Sequence, residues 1–168
     1  MPVATQVPVS EYLQTSYDPD CDYVDGEVVE RHVGEFEHSR SQSLSAALLV
    51  SQEKQSGTLA LTEQRVQVTP GRYRIPDVSV LAPGAPREQV IRHPPLLCLE
   101  ILSKDDTMSA MMERVEEYLT RGVPYVWVID PWRRRGYCCT SSGMVEAKDN
   151  VLRTSNPDLA VPLAALFD

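Results

Sequence analysis

The chain has 168 residues, 42% of them hydrophobic, which suits one domain of ordinary size with a real core. No apolar run approaches the roughly 18 residues a membrane-spanning helix needs, so the sequence excludes such a helix. A formal charge of −8 lacks the basic footprint of a typical nucleic-acid binder, although acidic groups that hold a divalent cation also add to such a total.

Residues 1–20 are rich in proline and polar residues and read as an N-terminal extension. Within it, Ser10-Glu11-Tyr12-Leu13 predicts the start of a short helix, and Asp18-Pro19-Asp20 a turn. Asp25-Gly26 lies between two β-prone pieces, the signature of a hairpin over residues 23–31. Residues 35–54 predict a helix, with Leu44, Ala47, Leu48 and Ser51 on one face and Gly57 just past its end. Three strands follow, over residues 58–69, 73–82 and 95–102, with Pro70-Gly71 turning between the first two. The third, within PLLCLEIL, is nearly all apolar, as expected of a strand buried on both faces.

A helix over residues 108–121 carries the apolar stripe Met108, Met111, Met112, Val115, Tyr118 and Leu119. Asp106 or Thr107 can cap its start, and Gly122 and Pro124 end it. Residues 125–129 form another buried strand. Strand, helix and strand make a βαβ crossover, so the two strands should run parallel. The remainder predicts strands over 136–140 and 144–148, and a last strand and helical turn in AVPLAALFD. The whole reads as an α/β domain with a mixed sheet.

Glu100 is the most informative residue. Alternation places Leu96, Cys98, Glu100 and Leu102 on one face of a buried strand. A carboxylate there without a partner is costly, which points to a bound cation; the bland alternatives are a salt bridge to an arginine or a position at the strand's exposed end. Asp77 follows Pro76 in YRIPDVSVL, and two carboxylates on neighbouring strands can meet at one point. Mg²⁺ takes oxygen ligands in this way and keeps several waters. Lys104 and Arg114 are candidates for the positive group a phosphodiesterase needs beside the reacting phosphate. Their bland alternatives are loop solvation for Lys104 and an i,i+3 pair with Glu117 for Arg114. His38 and Gln42 lie one helical turn apart and can serve a metal or water network, or act structurally. Glu27, in the hairpin, is either a further acidic member or a solvated strand residue. The basic run at residues 133–135 is a candidate DNA contact or a solvated hairpin.

These blocks resemble one family. EYLQTSYDPDCDYVDGEVVERHVGEFEHSRSQSLSAAL, RYRIPDVSVL, CLEILSKDDTMSAMMERVEEYLTRGVPYVWVIDP and NPDLAVPLAALFD, in that order, are similar to the Uma-type restriction endonucleases. The resemblance covers nearly the whole chain and implies the restriction-endonuclease-like, PD-(D/E)XK fold, a mixed sheet flanked by helices. It also implies attack of water on a DNA phosphodiester with Mg²⁺ or Mn²⁺ as cofactor, with Asp77 the motif aspartate and Glu100 the (D/E) position. The superfamily lysine would stand at position 102, where this chain has Leu102. Family members commonly carry a basic residue on the next helix instead, the place of Arg114.

A metal-dependent DNA endonuclease is therefore the leading expectation. A catalytically inactive nuclease-fold binding module is the alternative, favoured by the acidic charge and by Leu102. A phosphohydrolase acting on a smaller nucleotide is a third. A homodimer is expected of so small a nuclease domain that cuts two strands. Cys21, Cys98, Cys138 and Cys139 form no CxxC pair, which argues against a zinc site and a disulfide framework. The N-terminus lacks the basic and apolar regions of a secretory signal, so a cytoplasmic location is expected.

Overall fold

The computed structural model describes residues 5–32 and 34–167. A short helix, α1 (Val9–Gln14), precedes the hairpin of β1 (Cys21–Val24) and β2 (Glu27–Glu30). Asp25 (φ 50°) and Gly26 (φ 98°) both take positive φ, the backbone that lets a two-residue turn follow the twist of its strands. Helix α2 (Phe36–Ser51) runs into a single turn, α3 (Glu53–Ser56). Next come β3 (Leu59–Thr62), β4 (Val66–Thr69), β5 (Arg72–Arg74), β6 (Val78–Leu81) and β7 (Leu97–Ile101). Helix α4 (Met108–Arg121) leads to β8 (Tyr125–Asp130), β9 (Arg135–Thr140) and β10 (Gly143–Glu146), and the chain closes with β11 (Val151–Thr154), β12 (Leu159–Pro162) and a 3₁₀ turn at Leu163–Ala165.

The central sheet has the order β10-β9-β8-β7-β6-β3, and a smaller one the order β2-β1-β5-β4. β7 and β8 are parallel, joined through α4 as the crossover required, and the other pairs in the central sheet are antiparallel. The mixed α/β fold expected from the sequence is the one observed. Among the described residues, no helix is long and apolar enough to cross a membrane.

β7 is buried along its length, and its pleat feeds two cores. Leu97, Leu99 and Ile101 join Leu49 of α2, Trp127 and Ile129. Cys98 and Leu102 join Met111, Val115 and Tyr118 of α4. Each such side chain contributes roughly 1.5–3 kcal/mol by leaving water, so the stripe of α4 fixes that helix to the sheet. Thr107 caps α4 by accepting from the Ala110 N–H at 3.1 Å, and Gly122 closes it at φ 107°, a conformation few side chains tolerate. Within the expected N-terminal extension, α1 packs on the small sheet. Tyr12 is fully buried, stacks on Tyr23 at 4.9 Å and donates its hydroxyl to the Cys21 carbonyl at 2.8 Å.

Three sequence expectations need correction. The stretch 58–69 is two strands in different sheets, and so is 73–82. The chain crosses between sheets at Glu63, with φ 52°, and crosses back at Ile75-Pro76-Asp77. Proline has no N–H for a ladder, and the Ile75 N–H instead donates to the buried Asp22 carboxylate at 3.1 Å. The buried face of α2 is Ser41, Ser45 and Leu49, with Leu44 and Leu48 only partly covered and Ala47 and Ser51 exposed. The strand expected at 144–148 is β10, which ends at Glu146.

Candidate active site

The sheet crossing at Pro76 sets Asp77 just before β6. Val78 pairs with Leu99, and Ser79 with Cys98. One further step of that antiparallel register sets Asp77 opposite Glu100. Each is only 1% exposed.

Three elements hold the Asp77 carboxylate. The Ile101 N–H donates to Oδ2 at 2.7 Å, Arg31 Nη2 donates to Oδ1 at 2.8 Å, and His38 Nε2 lies 3.3 Å from Oδ1. Gln42, one turn along α2 from His38, donates to the Asp77 carbonyl at 3.0 Å. That face of α2 also carries Ser41 and Ser45, whose small side chains let the helix lie close to the sheet.

Glu100 is held from α4. The Tyr118 hydroxyl donates to Oε1 at 2.7 Å, and Arg114 Nη1 lies 3.6 Å from Oε2. The other arm of Arg114, Nη2, lies 3.1 Å from Asp22 Oδ2, and the same oxygen accepts from Arg74 Nη1 at 3.2 Å. Asp22 is wholly buried, so two guanidiniums and the Ile75 N–H replace its water.

The two carboxylates differ in electrostatics. Burial opposes ionisation of Asp77, but the His38 hydrogen bond, the charges of Arg31 and His38 and the Ile101 N–H outweigh it and hold its pKa below the ordinary value. The partner effect appears on His38: burial opposes its charge, yet Asp77 leaves its pKa raised. Glu100 goes the other way. Burial pushes it up to about 7, with the Asp77 charge adding to the rise, and Arg114, Arg31 and Tyr118 offset this only in part. Glu100 thus retains an uncompensated demand for positive charge.

Arg31, His38, Asp77, Glu100, Ile101 and Arg114 line one small cleft with room of about 20 Å³, the size of a single water or ion. Among the described residues, no group of three or more His, Cys, Asp or Glu side chains is gathered to hold a metal. Two carboxylates are nonetheless a sufficient protein donor set for Mg²⁺, which keeps waters and takes phosphate oxygens for the rest. The unmet charge demand at Glu100 fits the same ion.

The remaining candidates fall elsewhere. Lys104 is exposed and lines a neighbouring cleft with Trp132 and Arg133. Glu27 is exposed on β2, opposite Val24, and does not line the Asp77–Glu100 cleft. Arg114 does not take the pairing with Glu117; that carboxylate binds Arg72 and Arg74. Leu102 is buried in the α4-side core. Arg31, Asp22 and Tyr118 escaped the sequence reading. Only Asp22 left a trace, as an acidic residue inside the apolar β1 stretch CDYV.

The model of one protein family, Uma2, described as "Putative restriction endonuclease", matches residues 9–165. Among solved structures, a "putative nuclease belonging to DUF820" from Anabaena variabilis superposes with a TM-score of 0.82 at 21% identity, covering 96% of this chain and 97% of that one. At that identity the likeness shows the fold. A DrdV–DNA complex aligns with a TM-score of 0.40 and 18% identity over 61% of this chain and 9% of its own, too little to support an argument. No curated protein matches the sequence.

Proposed function

The chain belongs to the Uma2 family, and from that premise we propose that it is a Mg²⁺- or Mn²⁺-dependent DNA endonuclease that uses water to hydrolyse phosphodiester bonds. The observation that carries the reading is the convergence of two carboxylates, each 1% exposed, in a cleft that also presents Arg114.

In this reading Asp77 and Glu100 would hold the divalent ion, which would supply Lewis-acid and water-activating chemistry at the phosphodiester when bound. Ile101 N–H, His38 and Gln42 fix the Asp77 side chain and backbone, so that ligand is set before substrate arrives. Tyr118 sets Glu100 in the same way. Arg114 stays protonated, so its role is to stabilise negative charge on the phosphate rather than to move a proton. Arg31 balances Asp77 in the free protein and adds a second cation at the phosphate. Lys104 lies on the rim, where it meets the DNA backbone rather than the scissile bond. A cytoplasmic site of action and a homodimer belong to the same proposal.

One observation favours a second reading, an inactive binding module. Arg31 and Arg114 already pair with Asp77 and Glu100, so protein cations satisfy part of the charge a metal would meet. Incubation of plasmid DNA with the protein in Mg²⁺, Mn²⁺ or EDTA, beside Asp77→Ala and Glu100→Ala, separates the two. Metal-dependent nicking lost in both variants is the expected result. Intact plasmid in every condition would leave the binding module standing.

A further inference from the structure

The strands that carry the cleft also build its rim. β7 and β8 are parallel, with Ile101 paired to Ile129, so their C-terminal ends open on one edge of the sheet. The chain leaves β8 at Asp130, which is 2% exposed and shapes the turn that follows. Its Oδ1 accepts the N–H groups of Trp132 and Arg133, both at 3.0 Å, and Oδ2 lies 3.3 Å from Arg133 Nη1. A buried carboxylate thus fixes a turn whose tip holds Trp132 44% exposed. One exposed aromatic ring is ordinary by itself, so its neighbours decide what it can do.

Its surroundings are specific. Trp132 and Arg133 share a cleft with Lys104. Ser103 and Asp106 wall that cleft and also line the one holding Asp77 and Glu100, so the two adjoin. On the other flank of the turn, Arg134 lines a groove with Arg40 and with Phe36, which is 74% exposed. Lys104, Arg133 and Trp132 therefore sit beside the cleft, and Arg134, Arg40, Phe36 and Phe167 lie on the far flank of the same turn, in a chain of net charge −8. Glu37 lies in the same groove, so charge alone is a weak account of binding there.

We propose that this rim is a docking surface for unpaired DNA, with Trp132 as the platform on which an exposed base stacks while Lys104, Arg133 and Arg134 follow the backbone. The inference rests on the endonuclease reading for its choice of DNA, and it adds the form of the substrate: a strand with an unstacked base beside the scissile bond rather than a continuous duplex. Within a duplex the ring faces are covered by stacked neighbours, whereas a single strand can offer them, and aromatic stacking is tolerant of sequence.

The test uses the two tryptophans. Trp127 is fully buried and Trp132 is exposed, so a ligand stacking on the rim changes the emission of Trp132 against a constant background. The full chain is titrated in EDTA with a single-stranded oligothymidylate, a blunt duplex of equal length and inorganic polyphosphate. Quenching by the single strand alone is expected, with tighter binding than the duplex. Loss of one stacked base in Trp132→Ala should weaken single-strand binding by about 5- to 150-fold, measured by anisotropy of a labelled oligonucleotide, while Trp132→Phe retains most of it. Equal quenching by polyphosphate, or unchanged affinity in Trp132→Ala, overturns the proposal. Asp77→Ala separates it from the nuclease reading, because that variant should keep the quench and lose cleavage. A wild-type protein that quenches but never cleaves defeats only the nuclease reading. One that cleaves while Trp132→Ala binds and cleaves alike defeats only the stacking rim.

Discussion

Asp22 and Glu100, on strands of different sheets, share one guanidinium: Arg114 lies 3.1 Å from the first and 3.6 Å from the second. Asp22 itself does not line the cleft. It is the fixed post from which Arg114 reaches toward Glu100. Asp22→Asn removes the charge from beneath Arg74 and Arg114 and leaves two buried cations short of a partner. A loss of about 3 kcal/mol in folding stability is expected, read from urea denaturation, together with a lower rate of plasmid nicking. Unchanged stability would mean that water reaches Asp22 freely.

Glu100 gives a pH prediction with a definite sign. Its pKa is raised on folding from 4.5 to about 7. Below pH 4.5 it is protonated in both states and costs nothing. Between those values the unfolded chain ionises first, so stability falls as pH rises through about 7. Glu100→Gln still accepts from Tyr118 and carries no charge. It should match wild type near pH 4.5 and be more stable by roughly 3 kcal/mol at pH 8, in urea midpoints taken without divalent ions. A variant less stable than wild type at pH 8 would show that Arg114 fully compensates the carboxylate.

A divalent ion should reverse that cost. Mg²⁺ at a hundred times its dissociation constant stabilises the folded state by about 2.7 kcal/mol. Thermal denaturation with and without MgCl₂ should show the gain in wild type and its absence in Asp77→Ala and Glu100→Ala. The affinity should strengthen as pH rises through 7, because the ion requires Glu100 ionised. A shift of equal size in wild type and both variants would place the ion elsewhere.

Arg114→Ala should lower the nicking rate by about 10²- to 10³-fold, the scale of removing one preorganised donor at a developing charge. Arg114→Lys keeps the cation but reaches one carboxylate at a time. It should retain more of the rate than alanine while losing stability at the Asp22 end. Equal rates for alanine and lysine, measured at saturating Mg²⁺, would remove Arg114 from the reaction.

How far the sequence could be read depends on where each signal lies. The ends of α4 were legible because Thr107 and Gly122 act within a few residues, and the hairpin because Asp25-Gly26 does. β7 announced itself by its apolar run, and Glu100 by standing inside it. The face of α2 was misread because its buried positions are serines, chosen for close approach, while the side chains that matter, His38 and Gln42, point at a residue far along the chain. The two split strands looked continuous because a crossing between sheets leaves the β-prone pattern intact. Asp22 and Arg31 escaped notice because their partners come from β5, α4 and the start of β6, and no local pattern encodes such pairing. The sequence allows Glu27 as an acidic member or a solvated residue; it is exposed, and the hairpin contributes the buried Asp22 instead, from the strand facing the core.

Leu102 has a further consequence. Its side chain is committed to the α4-side core, so β7 cannot supply a cation at that position without opening the protein. Arg114 rides on α4, which is seated by Met111, Val115 and Tyr118 and by the pairing of Glu117 with Arg72 and Arg74. The share of charge that Arg114 would present to phosphate is therefore only as durable as one helix's seat. Local detachment of α4 would disarm the cleft while every strand of the sheet stayed paired, so loss of activity on heating would precede melting of the sheet.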